Sequence, residues 1–268
     1  MNKNLQMFFK SFVVSFLIFS LLSATIITAA YSSAVSVDPQ DKASTVMLAV
    51  TNTQNKIISI SVIHIDPQGK EITFADIPDN TVLGEDTLLQ SLYRKGDVSV
   101  LKKSVGDLLG IRISRYMIIS SEKIKRITDE MGDFEHALSY PFEYGGSNYA
   151  GTVLLNGALA RQMFLYSGYD QTSVSYSEIG MSFLQGFLSK YANEESINEL
   201  ARAICENDFC KSSYTDLSEK EIEEYASVLS KYHLMTHKRV EIQGEYNFTS
   251  ARVYFIPEQI KLNKNIFE

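Results

Sequence analysis

Apolar residues occur along this chain in runs of two kinds, and the first kind is rich in β-branched side chains. Such runs predict strands, and three of them follow one another at Thr45–Val50, Lys56–Ile65 and Lys70–Ile77. The polar stretch TNTQN separates the first two, and DPQG, with proline at its second position, separates the next two. The sequence therefore predicts three consecutive strands joined by short turns.

The second kind of run places apolar residues three and four positions apart, which predicts helices. These helices are predicted at Glu85–Gly96, Asp97–Gly110, Ser121–Gly132, Asn156–Gly168, Ser177–Ala192, Glu194–Asn207 and Thr215–Tyr232. Further strands are predicted at Ile113–Ser120, at Glu135–Tyr144 and in the stretches HKRVEIQGEYN and ARVYFIPEQI. Either Ser218 or Asp216 caps the last helix, with Glu221 or Glu219 completing a capping box. This alternation of strands and helices predicts a three-layer α/β domain.

The first thirty residues contain the longest uncharged apolar run. It extends from Phe12 to Ala30 and matches the ~20 residues that a helix needs to cross a hydrocarbon core. Lys3 and Lys10 precede it and no acidic residue occurs before Asp38, which predicts the N-terminus inside and the remaining chain outside the membrane. The small residues near Ala30 also fit the cleavage site of a signal peptide. Either way, the main part of the chain is predicted to be exported.

The domain organisation follows from this assignment. Residues 1–11 are predicted to be a cytoplasmic stub, 12–30 the transmembrane anchor or signal peptide, 31–44 a linker, and 45–268 one extracytoplasmic domain. The linker is small and polar, as a short spacer requires. The chain of 268 residues is 45% hydrophobic and 21% charged, which suffices for one substantial core.

Charge and cysteine usage argue against two kinds of function. The formal net charge is −7, which disfavours nucleic-acid binding because that function requires a basic face. The only cysteines, Cys205 and Cys210, are spaced to close a small disulfide loop in an oxidising compartment. They lack the neighbouring ligands of a zinc site, so no metal is predicted there.

Four short stretches carry a family resemblance when they are taken in order. They are HIDPQGKEITFADIPDNT, VGDLLGIRISRYMIISSEKIKRITDEMGD, LLNGALA and YTDLSEKEI. The first is similar, without a gap, to the segment S-I-N-P-K-T-K-K-V-S-L-L-S-I-P-R-D-T of the LytR–CpsA–Psr family, and the others resemble later segments of that family. The resemblance spans roughly Thr45 to Ile260, and it implies a three-layer α/β/α domain around a central mixed sheet.

The resemblance also implies a location and a chemistry. LytR–CpsA–Psr proteins are anchored in the bacterial cytoplasmic membrane and transfer glycopolymers from a polyprenyl-pyrophosphate carrier to the cell wall. Their arginines and aspartates bind the pyrophosphate and a divalent metal, because guanidinium groups and a cation stabilise charge on a leaving diphosphate. A long apolar cavity in these proteins holds the polyprenyl chain.

This chain departs from the family at the residues that perform the chemistry. The arginine and aspartate of I-P-R-D-T fall on Asp79 and Asn80, so an anion replaces a cation beside the expected phosphate. The metal-binding aspartate of the first strand falls near Thr51 or Asn52, and the next aspartate falls on Ile58, which cannot bind a hard cation. Two later family motifs that contain arginines align with RQMFLYSG and SYSEIGMSFLQG. No arginine of this chain occupies the positions aligned with the family arginines. The sequence thus predicts that the catalytic positions are lost while the scaffold remains.

Three arginines are candidates for contact with a lipid or a phosphate. Arg161 lies in the helix where the family has several arginines, while Arg112 and Arg115 lie about the strand IRISRYMI. Each of them also fits an ordinary surface position. Aromatic residues further along the chain, with Phe183 and Phe187 on one helical face, fit either a packed core or the lining of a lipid cavity.

The predicted function is that of a membrane-anchored, extracytoplasmic and non-catalytic LytR–CpsA–Psr-like protein of the bacterial envelope. It would bind a polyprenyl-linked intermediate or an envelope protein. Two alternatives stay open: an active glycopolymer phosphotransferase with a rebuilt site, and an interaction domain without a ligand. Only the phosphotransferase would need a cofactor, namely Mg²⁺. The sequence does not specify an oligomeric state.

Overall fold

The computed structural model describes residues 43–84, 87–93, 97–170, 172, 174–206, 214–249 and 253–258. The predicted anchor or signal peptide, the stub before it and nearly all of the linker lie outside these residues. Within the described residues, no helix combines the length and apolar character that crossing a membrane requires.

The described chain forms thirteen strands and six α-helices. The strands are β1 (Ser44–Thr51), β2 (Ile57–Asp66), β3 (Glu71–Ile77), β4 (Val82–Leu83), β5 (Thr87–Leu88), β6 (Arg115–Ser120), β7 (Phe134–Ala137), β8 (Phe142–Tyr144), β9 (Ser147–Tyr149), β10 (Thr152–Leu155), β11 (Thr236–Glu241), β12 (Gly244–Phe248) and β13 (Val253–Pro257). The helices are α1 (Ser99–Leu109), α2 (Ser121–Met131), α3 (Gly157–Met163), α4 (Tyr176–Tyr191), α5 (Ile197–Cys205) and α6 (Glu219–Leu229).

A mixed five-stranded sheet forms the centre of the domain, in the order β11-β3-β2-β1-β6. The strands β1, β2 and β3 pair antiparallel, as three strands joined by short turns would. Strand β6 then adds parallel to β1, and β11 adds parallel to β3. The predicted α/β class and the central mixed sheet are confirmed.

Alternation along the strands directs apolar side chains to both faces of this sheet. On β1, Val46 and Val50 join a cluster that contains the buried apolar residues of α2, α3, α4, α5 and α6. Met47 and Ala49 point the other way, into a second cluster that contains the buried apolar residues of α1. The sheet therefore lies between helices on both of its faces, and the larger core lies on the side of these five helices.

The prediction of a helix over Glu85–Gly96 was wrong for the residues that the structure describes. This segment contains the short strand β5, which pairs with β4, followed by a single 3-10 turn at Leu89–Leu92. The Leu89 backbone N–H donates to the Thr81 carbonyl oxygen at 2.8 Å, and the Leu89 side chain is fully buried. The pairing of β5 with β4 thus determines the conformation of this segment, although its apolar residues have helical spacing.

The start of α6 has the capping box that the sequence predicted at Ser218. The Glu221 backbone N–H donates to Ser218 Oγ at 3.2 Å, and the Ser218 backbone N–H donates to Glu221 Oε2 at 2.9 Å. Arg115 of β6 also donates to Glu221 Oε1, from Nε at 3.0 Å and from Nη2 at 2.8 Å. Burial favours the neutral carboxyl, but the hydrogen bonds from Ser218 and Arg115 outweigh it and lower the pKa of Glu221.

Replacing Glu221 should therefore destabilise the domain more than replacing another glutamate of the same helix. We expect Glu221→Ala to lower the free energy of unfolding by about 2 kcal/mol, because a cap and a charge-assisted pair are lost together. The matched control is Glu223→Ala, at an exposed position of α6, which should change it by less than about 0.5 kcal/mol. Urea unfolding measures both, and equal effects would contradict the role assigned to Glu221.

Candidate binding site

An apolar cavity of about 180 Å³ lies between the sheet and the helices α2, α4, α5 and α6. Strands β1, β2 and β6 supply its floor, and its lining includes Leu48, Ile63, Met117, Phe183, Phe187, Leu200 and Leu229. Tyr225 is the one lining residue with a polar side chain, and its hydroxyl is hydrogen-bonded to Ser44 Oγ. No unpaired polar group therefore marks this cavity, and only an apolar ligand suits it.

Helix α4 borders the cavity because it lies unusually close to β2. The Ile60 backbone N–H donates to Ser177 Oγ at 2.8 Å, so a side chain of the helix replaces a strand partner. One turn further, Gly180 faces Ser59 so closely that an added Cβ would lie 2.2 Å from Ser59 Oγ. These two contacts fix α4 on the sheet.

A second and more polar cleft, of about 730 Å³, begins where the apolar cavity ends. Phe164 lines both spaces and is 1% exposed, so its ring forms the boundary between them. The four positions aligned with catalytic residues of the LytR–CpsA–Psr family all line this cleft: Asn52, Ile58, Asp79 and Asn80. The structure thus brings them to one place, although they come from three separate segments.

Asp79 is the most deeply buried charged group of the polar cleft. Burial, with a smaller contribution from the nearby Asp170, raises the pKa of its carboxyl to about 7. Hydrogen bonds from its own backbone N–H and from that of Tyr176, in the first turn of α4, act in the opposite direction but are weaker effects. At neutral pH this carboxyl is therefore divided between its neutral and ionised forms.

Tyrosines surround the two carboxyl groups. The Tyr176 hydroxyl lies 2.8 Å from both Asp170 Oδ1 and the Tyr166 carbonyl oxygen. Burial raises the pKa of Tyr176 and of Tyr169 well above the usual value, so both hydroxyls stay protonated. The tyrosines that line the cleft are Tyr93, Tyr169, Tyr176 and Tyr254. Five of the described lining residues are thus aromatic, and two of the three charged side chains are acidic.

The amide side chains of the cleft serve the local structure. Asn52 Oδ1 accepts the backbone N–H groups of Gln54 and Lys56, which closes the β1–β2 turn. Asn80 Nδ2 donates to the Val253 carbonyl oxygen at 3.0 Å and so ties the end of β3 to β13. Both oxygens are neutral amide oxygens: that of Asn52 already accepts two N–H groups, whereas Asn80 Oδ1 is buried without a hydrogen-bond partner among the described residues.

A divalent metal does not fit the side chains found here. Among the described residues, no group of three or more His, Cys, Asp or Glu side chains could hold a metal ion. The cleft offers two carboxyl groups, and that of Asp79 is half-protonated near pH 7.

The three candidate arginines lie elsewhere, since none of them lines the cavity or the cleft. Arg115 is paired with Glu221, and Arg161 is paired with Glu122 of α2. Arg112 is exposed on the segment between α1 and β6. Their assignment as lipid or phosphate contacts stays a prediction.

The cysteine prediction also stays open. Cys205 ends α5, and Cys210 lies outside the described residues.

Sequence reasoning did not single out Asp170, Tyr93, Tyr176 or Tyr254 as residues of one site. Asp170 follows a 3-10 turn at Ser167–Tyr169, and Tyr254 lies on β13, near the end of the described chain. The sequence signals for this side of the cleft were the stretches RQMFLYSG and SYSEIGMSFLQG, where family arginines are absent; the second contains Tyr176.

The buried Asp79 carboxyl should make the stability of the folded protein depend on pH. Its pKa is raised from 3.8 to about 7 in the folded protein, so the folded state binds more protons and loses stability as pH rises across this interval. At about 1.4 kcal/mol per pKa unit, the loss approaches 4 kcal/mol above pH 7 as an upper value. Asp79→Asn cannot ionise and should gain stability relative to the unchanged protein between pH 4 and pH 8. Thermal unfolding of both proteins at each pH measures the difference; a difference that does not vary with pH would contradict the burial of an ionisable Asp79.

The chain has no match among protein-family models or among curated proteins. Solved structures do resemble it. Bacillus subtilis TagV superimposes with a TM-score of 0.64 at 16% identity, covering 84% of this chain and 94% of that one. Protein gbs0355 from Streptococcus agalactiae gives 0.65 at 16% identity, covering 85% and 87%.

A third structure, the LytR–CPS2A–Psr family protein YwtF (TagT), contains a bound octaprenyl pyrophosphate lipid. It superimposes with a TM-score of 0.60 at 15% identity, covering 86% of this chain and 90% of that one. Likeness at these identities establishes the fold, and the fold agrees with the motifs quoted from the sequence. The chain therefore has the LytR–CpsA–Psr fold.

Proposed function

We propose that this protein is a membrane-anchored, extracytoplasmic component of the bacterial cell envelope that binds an isoprenoid chain without catalysing transfer. In this proposal the N-terminus is cytoplasmic and residues 45–268 lie outside the membrane. The observation that carries it is the junction at Phe164, where a wholly apolar cavity meets a cleft with a buried carboxyl group.

The apolar cavity supports the lipid part of the proposal. TagT, which shares the fold, binds octaprenyl pyrophosphate, and the cavity of this chain lies between the central sheet and four helices. Its volume of about 180 Å³ resembles the ~150 Å³ of an engineered apolar cavity that holds one benzene molecule. It can thus hold a short part of an isoprenoid, and a longer chain requires the helices to move apart.

The charges of the polar cleft support the absence of transfer. A leaving pyrophosphate needs cations around it, but the only basic residue lining the cleft in the described chain is Lys56. Lys56 is exposed, so water and salt screen its charge, whereas the Asp79 carboxyl is buried. A pyrophosphate group placed in the cleft would lie near the Asp79 carboxyl. Among the described charged residues of the cleft, this negative charge is the one least screened by water and salt.

Filling the cavity should remove the lipid and leave the fold. Ala201 of α5 is buried and lines the cavity, so we expect Ala201→Phe to occupy the space and abolish the isoprenoid lipid that copurifies with the full-length protein. Native mass spectrometry measures the lipid. The matched control is Asn198→Phe, which adds the same ring at an exposed position of α5 and should retain it.

Two outcomes would overturn the binding proposal. The first is the absence of isoprenoid lipid from the unchanged protein, even after incubation with a polyprenyl phosphate. This would favour an interaction domain without a ligand. The second is equal lipid in both variants while Ala201→Phe remains folded by circular dichroism, because the lipid would then lie outside the cavity.

Transfer activity is tested separately. With Mg²⁺ and a polyprenyl-pyrophosphate-linked glycan, the purified full-length protein should release no more polyprenyl phosphate than the Asp79→Asn variant or a protein-free control. Robust, metal-dependent release by the unchanged protein would contradict the non-catalytic assignment and favour the phosphotransferase with a rebuilt site.

A further inference from the structure

The polar cleft is large enough for a ligand of its own, independent of any lipid in the apolar cavity. Its volume is about 730 Å³, within the range of ~300–1,000 Å³ that is common for small-molecule sites. It is concave, and carboxyl, amide and aromatic side chains converge on it. Nothing in the proposed lipid binding uses these groups.

Two carboxyl groups give the cleft its charge. Asp79 lies at the end of β3 and is 9% exposed, while Asp170 is exposed and hydrogen-bonded to the Tyr176 hydroxyl. The one lining residue with a positive charge in the described chain is Lys56, which is exposed. The buried part of the described lining therefore contains the Asp79 carboxyl and no basic side chain, which favours cations over anions once Asp79 is ionised.

Aromatic rings form much of the wall. Tyr93, Tyr176 and Tyr254 are half-buried, and Tyr169 and Phe164 are buried. The faces of such rings attract organic cations, and quaternary ammonium groups are bound in this way by aromatic side chains with a nearby carboxylate. Simple metal ions gain less from these walls because they prefer several oxygen ligands.

We propose that the polar cleft binds an organic cation of the substituted-ammonium class, with Asp79 and Asp170 supplying the charge and the tyrosine rings the contact surface. This site is separate from the isoprenoid cavity, and Phe164 lies between them.

Binding should couple to the ionisation of Asp79. The described titratable groups that face this carboxyl or line the same cleft are Asp170, Lys56, Tyr93, Tyr169, Tyr176, Tyr246 and Tyr254. Burial raises the pKa of Tyr169, Tyr176 and Tyr246, that of Tyr246 to about 12, so these three remain neutral. With the pKa of Asp79 at about 7, a ligand that needs the ionised form binds about tenfold more weakly at pH 6 than at pH 8.

The test compares choline with its neutral isostere, in which carbon replaces the quaternary nitrogen. Isothermal titration of the full-length protein in detergent should show that choline binds at least about fivefold more tightly than the isostere at pH 8, because only choline has the charge. Binding at pH 7 should release a fraction of a proton, seen as a dependence of the heat on the ionisation enthalpy of the buffer. Equal binding of the two probes, no binding of choline, or tighter binding of inorganic pyrophosphate would each overturn the proposal.

Variants locate the site and separate it from the lipid proposal. Asp79→Asn should weaken choline binding and abolish its pH dependence, and Tyr254→Leu should weaken it while Tyr254→Phe, which keeps the ring, should not. Isoprenoid lipid should remain in all three variants, because none of these residues lines the apolar cavity. Choline binding that is unchanged in both Asp79→Asn and Tyr254→Leu would contradict this location, whatever the lipid measurement shows.

Discussion

The burial of the Asp79 carboxyl, with no cation among the described residues lowering its pKa, is the constraint on which the chemistry of this site depends. Removing a carboxylate from water is costly unless charges or several hydrogen bonds replace the solvent. Here the helix N-terminus at Tyr176 replaces it in part, and Asp170 adds repulsion, so the pKa rises to about 7. An anion bound beside Asp79 increases this cost, whereas a cation reduces it.

The apolar cavity and the polar cleft adjoin each other. Their arrangement explains how side chains of the cleft can differ from those of the LytR–CpsA–Psr family while the fold stays the same. Helix α4 is held on β2 through Ser177 and Gly180, and it borders the apolar cavity along its length and the polar cleft at its first turn. The cleft residues lie at strand ends and in connecting segments, where side chains can change without altering the packed core. The scaffold and the chemistry of the cleft are therefore separable, as is common for folds that serve several functions.

Local signals predicted much of the fold, and long-range contacts account for most of the differences. The strands β1 to β3 and the capping box of Ser218 and Glu221 follow from patterns within a few residues. The segment Glu85–Gly96 did not follow its pattern, because pairing between β4 and β5 and the bond from Leu89 to Thr81 decide its conformation. Neither contact is visible in the spacing of apolar residues.

The candidate site could be predicted only through the family resemblance, which pointed to Asn52, Ile58, Asp79 and Asn80. Their convergence in one cleft required the sheet and the segment from Phe164 to Tyr176 to be placed. Burial, which sets the ionisation of Asp79, cannot be read from the sequence either, because it depends on segments distant in sequence such as Asp170 and Tyr176.

Site-resolved titration of Asp79 tests the central claim most directly. The carboxyl carbon signal of this residue can be assigned by its loss in Asp79→Asn and followed by NMR against pH. The account predicts a midpoint near 7, as expected for a buried carboxyl without a cation. A midpoint at or below the ordinary aspartate value of about 4 would reveal a compensating positive charge in the cleft, and would contradict the account.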